Sequence, residues 1–300
     1  MSELPIIDLS PFRSDDIAAK ETVAQAIYKA CHEIGFFYIK NHGIDTNLIE
    51  QVFDYSKYFF DLPLEEKQKI ACKNALTLEA LQGYAVMKTE DFKPDQFSDF
   101  KESLNFLELD KFPTDFFIPP AIPTFIKACT EVGNNILQAF SLALELPEDF
   151  LTTKHNKKQH DLRLLHYPAL QQTAKPQQIR IGEHTDFGTT TLLFQDDVGG
   201  LEVQNKSGDW IAAPNITDTI LVNTGDIMQR WTNDIFCSTK HRVIIPDENK
   251  AKCSRYSVAF FCNPNLDTEI TCLETCQKDK PPIYSPIIVG ESFLKRLQSY

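Results

Sequence analysis

A histidine and an aspartate stand two residues apart in the stretch GEHTDFGTTTLLF, as His184 and Asp186. The Thr and Leu residues that follow predict a β-strand. In an extended chain, side chains two positions apart point to the same face, so the two groups are expected to converge on one point. An imidazole and a carboxylate that converge in this way suit a divalent metal ion.

A third metal ligand is expected from a strand that the fold brings close to this pair. His241 in STKHRVIIP opens an apolar run and is the best candidate, while His166 in LLHYP is its rival because it also lies in a predicted strand. Two imidazoles and one carboxylate leave three positions of an octahedral ion open, as in non-haem Fe(II) oxygenases. Zinc accepts the same ligands, so the spacing alone leaves the metal open.

Composition predicts a cytoplasmic globular protein that binds neither nucleic acid nor membrane. The chain has 300 residues, of which 42% are hydrophobic, enough for a substantial core. Its formal charge of −12 argues against nucleic acid, whose phosphates require Lys and Arg. No run approaches the roughly 20 apolar residues that cross a bilayer, and the N-terminus lacks the pattern of a signal peptide. The eight cysteines form no CxxC pair and are expected to be reduced.

Hydrophobic periodicity predicts a helical first half and a β-rich second half. Helical spacing covers three segments: 15–37, 46–72 with a break at Pro63, and 121–145. Residues 78–120 show few periodic signals and are interpreted as loops and short strands near an opening. From about 161 onward, short apolar runs separated by turn residues predict an antiparallel barrel or sandwich. No linker separates the halves, so we expect one structural unit.

Three stretches of the β-rich half carry a resemblance: GEHTDFGTTTLLFQDDVGGLEVQ, NTGDIMQRWTNDIFCSTKHRV and SRYSVAFF. Together they resemble the isopenicillin N synthase-like family of Fe(II)- and 2-oxoglutarate-dependent oxygenases, and LPIIDLSPF and GFFYIKNHGI match that family's N-terminal region. The resemblance implies an α+β, mainly β fold, a double-stranded β-helix (jelly-roll) barrel with flanking N-terminal helices. It implies an N-terminal region over 1–120 and an oxygenase barrel over 121–300, with the catalytic core at about 160–265.

The family's functional motifs fall on particular residues of this chain. Its metal triad falls on His184, Asp186 and His241. Its RxS motif falls on Arg255 and Ser257 and its Tyr-Pro motif on Tyr167, residues that would bind 2-oxoglutarate. Arginine suits this role because its planar, charged fork holds a carboxylate with two hydrogen bonds. Leu165 stands where many plant members have asparagine.

The implied activity couples decarboxylation of 2-oxoglutarate to succinate with oxidation of a C–H bond in a small molecule. The outcome is hydroxylation, desaturation or oxidative ring closure, with Fe(II), 2-oxoglutarate and O2 as cofactors and co-substrates and ascorbate as an optional stimulant. One alternative is an iron oxidase of the same fold that does without 2-oxoglutarate. Another is a non-catalytic protein that binds a metal or small ligand. A monomer or weak homo-oligomer is expected.

Residues that contact the substrate are predicted with less support from the motifs. Six are hypothesised: Arg180, Asn105, Lys101, Tyr84, Phe187 and Phe261. Arg180 lies four positions before His184, so an unbroken strand would put it on the metal-facing side, whereas the alternative is a solvent-facing arginine. The region 83–106 and the C-terminal GESFLKRLQSY are expected to form the mouth and lid of the pocket.

Overall fold

The computed structural model describes residues 3–73, 77, 81–86, 100–157, 159–170 and 179–298. Its α-helices are α1 (Ile17–Glu33), α2 (Thr46–Phe60), α3 (Leu64–Gln68), α4 (Ala121–Ala143), α5 (Phe150–Thr153), α6 (Asp226–Trp231), α7 (Glu248–Ala251) and α8 (Val289–Leu297). Its first strands are β1 (Ile6–Asp8), β2 (Phe36–Lys40), β3 (Gly83–Ala85), β4 (Glu102–Phe106), β5 (Asp161–Tyr167), β6 (Ile181–His184) and β7 (Thr190–Gln195). The remaining strands are β8 (Leu201–Gln204), β9 (Trp210–Ala212), β10 (Thr219–Thr224), β11 (His241–Val243), β12 (Arg255–Cys262), β13 (Glu269–Ile270) and β14 (Ile287–Ile288).

Two sheets form the barrel. The larger has the strand order β1-β2-β10-β7-β12-β5-β4-β3, and the smaller has the order β6-β11-β8-β9. β1 runs parallel to β2, and the other neighbours in both sheets pair antiparallel. The predicted α+β class with a jelly-roll barrel is confirmed, since consecutive strands from β5 to β12 switch between the two sheets, except at the β8–β9 hairpin, as a double-stranded β-helix requires.

The core has two parts because strands of the large sheet bury both faces. Even-numbered residues of β5 and β12, such as Leu164 and Phe260, pack in a large cluster with α1, α2 and α4. Odd-numbered residues such as Tyr167 and Ala259 join a smaller cluster with Val203 of the facing sheet. Since side chains alternate along a strand, odd-numbered positions of β5 and β12 point into the barrel.

Predicted helix boundaries agree with the structure where the sequence carries cap or break signals. The Asp16 side chain accepts a hydrogen bond from the Ala19 amide and so caps α1. α2 and α3 are separated at Pro63. In the region interpreted as loops and short strands, β4 is buried along its whole length. No helix in the described ranges is both long and apolar enough to cross a membrane. The boundary at residue 120 stays a prediction.

A buried polar cluster ties α3 to β4 and β5 on the helical side of the large sheet. The Glu102 carboxylate accepts hydrogen bonds from Lys67 Nζ (2.9 Å) and from the Tyr84 hydroxyl (2.5 Å), and it contacts His166 Nδ1 at 2.7 Å. Tyr84, predicted to contact the substrate, therefore faces away from the barrel interior, and that prediction is wrong. His166, the rival metal ligand, faces the same way because it is an even-numbered residue of β5.

Two buried histidines are expected to make the stability of the fold depend on pH. Burial lowers the pKa of His155 to about 3 and that of His160 to about 4. In the unfolded chain these histidines take up protons near pH 6.5, which the folded chain does not do. The free energy of unfolding is therefore highest above that pH and falls as the pH drops toward 4. His155→Gln should flatten this dependence by about 1.4 kcal/mol per pH unit. Urea unfolding between pH 7.5 and 5 measures the slope, and an unchanged slope would contradict the assignment.

Candidate active site

Two histidines and an aspartate meet where the two sheets face each other. His184 ends β6, Asp186 follows it, and His241 begins β11 opposite His184 in the ladder. The two imidazole centroids lie 4.1 Å apart, and His241 Nε2 lies 3.7 Å from Asp186 Oδ1. One ligand atom from each residue can be chosen so that all three lie within 4.8 Å of one another. The fold thus brings together the three residues that the sequence singled out.

Backbone carbonyls fix the tautomers of both histidines. His184 Nδ1 lies 2.8 Å from the Gly182 oxygen, and His241 Nδ1 lies 3.1 Å from the Thr239 oxygen. Because a carbonyl oxygen only accepts, each Nδ1 carries the proton and donates it. Each Nε2 therefore keeps its lone pair for a metal ion, and a histidine held through its other nitrogen in this way is usual at metal sites.

The Asp186 carboxylate is held with one oxygen occupied. Its Oδ2 accepts hydrogen bonds from Thr191 Oγ1 (2.6 Å) and Asn223 Nδ2 (2.8 Å). Burial alone would raise the pKa of Asp186, but His241, His184 and these hydrogen bonds together lower it below 3.8. Burial, reinforced by His241, lowers the pKa of His184 to about 4. Asp186 and His184 thus have the protonation states that metal binding requires, and the donor set fits Fe(II).

The turn that carries Asp186 is anchored to the start of α6. The Asp226 amide donates to the Asp186 carbonyl at 2.8 Å. A Cβ on Gly225 would lie only 2.3 Å from the Gly188 oxygen, so this close approach requires glycine. The Asp226 carboxylate also accepts from Ser238 Oγ at 2.5 Å, in the segment that leads to His241. Asp226, the first residue of α6, therefore links the segments that carry Asp186 and His241.

Arg255 forms a second polar centre in the same barrel. It is 1% exposed and lies opposite Tyr167, with its guanidinium carbon 4.7 Å from that ring. Nη1 donates to Ser257 Oγ at 3.3 Å and Nη2 to Gln195 Oε1 at 2.8 Å, while Nε has no partner in the part of the chain that the structure describes. A buried cation whose hydrogen-bond partners are neutral favours an anionic ligand.

One cavity of about 780 Å³ contains both polar centres. Its walls include His184, Asp186, His241, Arg255, Ser257 and Tyr167. Three of the predicted substrate residues, Lys101, Phe187 and Phe261, also line it. The volume lies within the range of small-molecule sites.

The predicted position of Arg180 is wrong. His184 pairs with His241 but Ile181 pairs with Val243, so β6 holds one extra residue between these pairs. Such a bulge turns the preceding side chains to the other face, and Ile181 lines the cavity in place of Arg180. Arg180 is 0% exposed and its Nη2 donates to the Cys253 oxygen at 3.0 Å, so the solvent-facing alternative fails as well.

Arg163 and Asp161 are cavity residues that sequence reasoning missed. Both follow from the alternation along β5, because they lie four and six positions before Tyr167. Asn105, predicted to touch the substrate, is absent from the described lining of the cavity and instead accepts a hydrogen bond from Arg163 Nε at 2.8 Å. Its predicted role is corrected to that of a neighbour that positions Arg163.

The C-terminal helix α8 covers one side of the cavity. Phe293, Arg296 and Leu297 line it, and the Phe293 ring packs edge-on against Phe187 at 4.9 Å. Arg296 Nη2 donates to the Thr185 oxygen at 2.7 Å, and Nη1 forms an ion pair with Asp226. α8 is therefore held next to the turn that carries Asp186.

Removal of the Arg296 side chain should loosen α8 without unfolding the barrel. The ion pair with Asp226 is partly exposed, so Arg296→Ala should cost about 1 kcal/mol or less of global stability. Amide hydrogen exchange in residues 289–297 should nevertheless accelerate, because the contacts to Thr185 and Asp226 are lost. Lys295→Ala, one position earlier, is the matched control. Equal exchange rates in both variants would mean that Arg296 does not fasten the helix.

Fold and site together define a class of protein, the non-haem metal oxygenases built on a jelly-roll barrel. Residues 4–119 match the family described as non-haem dioxygenase in morphine synthesis N-terminal, and residues 158–264 match the 2OG-Fe(II) oxygenase superfamily. The chain is 33% identical over 296 residues to the 2-oxoglutarate-dependent dioxygenase htyE of Aspergillus rugulosus, covering 90% of each chain.

Crystal structures of a full-length Neurospora crassa protein are similar throughout. The complex with alpha-KG (2-oxoglutarate) superposes with a TM-score of 0.90 at 32% identity, covering 98% of this chain and 96% of the other. The complex with alpha-KG and thymine gives a TM-score of 0.89 at 32% identity, covering 99% and 96%.

This chain belongs to the 2OG-Fe(II) oxygenase superfamily. It is an oxygenase that uses Fe(II), 2-oxoglutarate and O2 and acts on a small molecule, which confirms the family, activity and cofactors predicted from the sequence. Neither the oxidase without 2-oxoglutarate nor the non-catalytic binding protein is favoured.

Proposed function

We propose that His184, Asp186 and His241 hold Fe(II), and that Arg255, with Ser257 and Tyr167, binds the far carboxylate of 2-oxoglutarate. The observation that carries this proposal is that two unlike centres share one cavity. One centre combines two neutral imidazoles with a carboxylate, and the other is the buried guanidinium of Arg255. A molecule with a keto acid at one end and a carboxylate at the other can satisfy both.

When bound, iron and 2-oxoglutarate would supply the oxidising chemistry, which couples the decarboxylation of 2-oxoglutarate by O2 to succinate and CO2 with oxidation of a substrate C–H bond. The chain's own residues prepare the site. Thr191 and Asn223 orient Asp186, and the carbonyls beside the two histidines set their tautomers. Phe293 and Phe187, in contact at 4.9 Å, keep bulk water from the side that α8 covers.

The substrate is proposed to lie beside Lys101, Phe187 and Phe261, which line the cavity together with the metal-facing residues. Hydroxylation is the proposed outcome, with desaturation or oxidative ring closure as alternatives. Thymine, bound by the Neurospora crassa protein, is the first compound to test as a substrate. A cytoplasmic location and a monomeric or weakly oligomeric state stay predictions.

An anaerobic titration of the Fe(II)-loaded protein with 2-oxoglutarate tests the proposal. Chelation by the keto acid should produce a visible charge-transfer band, and succinate, which lacks the keto group, should produce none. When O2 is then admitted, 2-oxoglutarate should be converted to succinate and the charge-transfer band should disappear. Iron binding without a band would contradict the proposed co-substrate site, and failure to bind iron would contradict the proposed triad.

A further inference from the structure

The register of β5 and β12 separates the cavity into two polar ends. Tyr167 pairs with Arg255 at one end of this ladder, and Asp161 pairs with Phe261 at the other. Phe261 lies six positions after Arg255, about 20 Å along a strand. The odd-numbered side chains between them face the cavity. Arg163 and Phe261 therefore stand well away from the carboxylate site proposed for 2-oxoglutarate.

Arg163 is held in place by its neighbours but does not use all of its N–H groups. Its Nε donates to Asn105 Oδ1 at 2.8 Å and its Nη2 contacts Asp161 Oδ2 at 3.4 Å, while its guanidinium carbon lies 5.2 Å from the Phe261 ring centre. Asn105 is fixed in turn, because its Nδ2 donates to the Leu81 oxygen at 2.8 Å. A guanidinium has five N–H groups. The Arg163 side chain is 30% exposed and lines the cavity, so some of its N–H groups remain for a ligand.

We propose that Arg163 binds a carbonyl oxygen of the substrate, and that the substrate is a small, neutral, planar ring compound of the lactam, imide or pyrimidine class. This inference rests on the proposed function, since it names the substrate of the same site. Arg163 is the group that recognises the substrate, and Asn105 positions it.

We infer that the substrate is neutral because Arg163 already has an acidic neighbour, Asp161. Asp161 lies beside the guanidinium, so the pair has little net charge, and a substrate carboxylate would be repelled by Asp161. A ring carbonyl accepts from Arg163 without that repulsion.

Planarity follows from the aromatic walls. Phe187, directly after Asp186, and Phe261, under Arg163, present rings to the cavity. Flat aromatic surfaces pack best on flat rings. A flat ring held by Arg163 at one edge would present its other edge, or a substituent on it, toward the metal-facing residues.

Binding to wild type and three variants tests the inference. The variants are Arg163→Gln, Arg163→Lys and Lys157→Met. Lys157 is the matched control because it lines the same cavity but its Nζ is paired with Asp267 at 2.5 Å. The probes are thymine, uracil and glutarimide as neutral ring carbonyls, toluene as a ring without an acceptor, and benzoate as an anion. Ligand-observed NMR on metal-free protein gives affinities, and the charge-transfer band of the Fe(II) and 2-oxoglutarate complex gives a second readout.

Wild type and Lys157→Met should bind at least one neutral ring carbonyl and prefer it to toluene and benzoate. Arg163→Gln should weaken that binding about 10- to 100-fold, the loss expected for a charge-assisted hydrogen bond, and Arg163→Lys should lie between. The 2-oxoglutarate titration should be unchanged in all variants. Unaltered binding in Arg163→Gln, tighter binding of benzoate, or no binding of any ring carbonyl by wild type would overturn the inference. Loss of the band in wild type itself would instead overturn the proposed co-substrate site, and the NMR arm would still decide the role of Arg163.

Discussion

Asp186→Ala should lower the affinity for Fe(II) at least about 100-fold and abolish the charge-transfer band with 2-oxoglutarate. The carboxylate is the one anionic group of the triad, and without it two neutral imidazoles must hold a divalent cation alone. Loss of a hydrogen-bond partner of a metal ligand typically costs about 10- to 100-fold in metal affinity, so loss of the ligand itself should cost more. Competition with a coloured chelator under anaerobic conditions measures the affinity.

A graded control separates loss of the ligand from general damage to the site. Thr191→Val removes only the 2.6 Å hydrogen bond to Asp186 Oδ2 and should weaken Fe(II) binding about 10-fold. Both variants should keep the far-ultraviolet circular dichroism of the wild type. If Asp186→Ala binds iron as well as Thr191→Val does, the carboxylate is not a ligand, and the metal must lie elsewhere in the cavity.

The relative positions of the proposed ligands could be predicted in part, because the geometry within each pair of neighbouring residues is local. His184 and Asp186 are two positions apart, and the ladder then sets His241 directly opposite His184. Arg255 and Ser257 are likewise two positions apart on one strand. In each pair the alternation of side chains is enough to place both groups on one face.

The expectation that a residue four positions away lies on the same face of a strand holds for β5 and fails for β6. Four positions before Tyr167, on the regular strand β5, lies Arg163, which does line the cavity. Four positions before His184 lies Arg180, which does not line it, because one extra residue in β6 reverses the faces. The isolated glycine in QIRIGEH, Gly182, is compatible with a bulge but does not by itself fix the register. Sequence spacing therefore places side chains only while the ladder register is unbroken.

Contacts between distant parts of the chain cannot be predicted from the spacing of residues along a strand. Arg296 meets Asp226 across 70 residues and Thr185 across 111 residues, through a helix that packs on the barrel. The C-terminal segment could be expected near the mouth of the pocket, but which of its side chains reaches the turn after His184 depends on how α8 is docked. Packing of that kind is set by the assembled fold.

Arg255→Met should weaken 2-oxoglutarate binding about 100-fold or more and leave the affinity for Fe(II) unchanged. The guanidinium is buried and directs two N–H groups at neutral partners, Ser257 and Gln195, so a carboxylate can join them with charge-assisted hydrogen bonds. Methionine fills similar space but supplies neither the charge nor the donors. The midpoint of the charge-transfer titration measures the loss, and chelator competition measures the iron affinity.

Arg255→Lys shows whether charge or shape dominates at this end of the cavity. Lysine keeps the positive charge but loses the planar fork, so the 2-oxoglutarate affinity should fall between those of wild type and Arg255→Met. If Arg255→Met binds 2-oxoglutarate normally, the far carboxylate must meet another cation. Lys101 would then be the next to test, because it lines the same cavity. A normal titration in Arg255→Met together with loss in Lys101→Met would move the carboxylate site from β12 to the segment before β4.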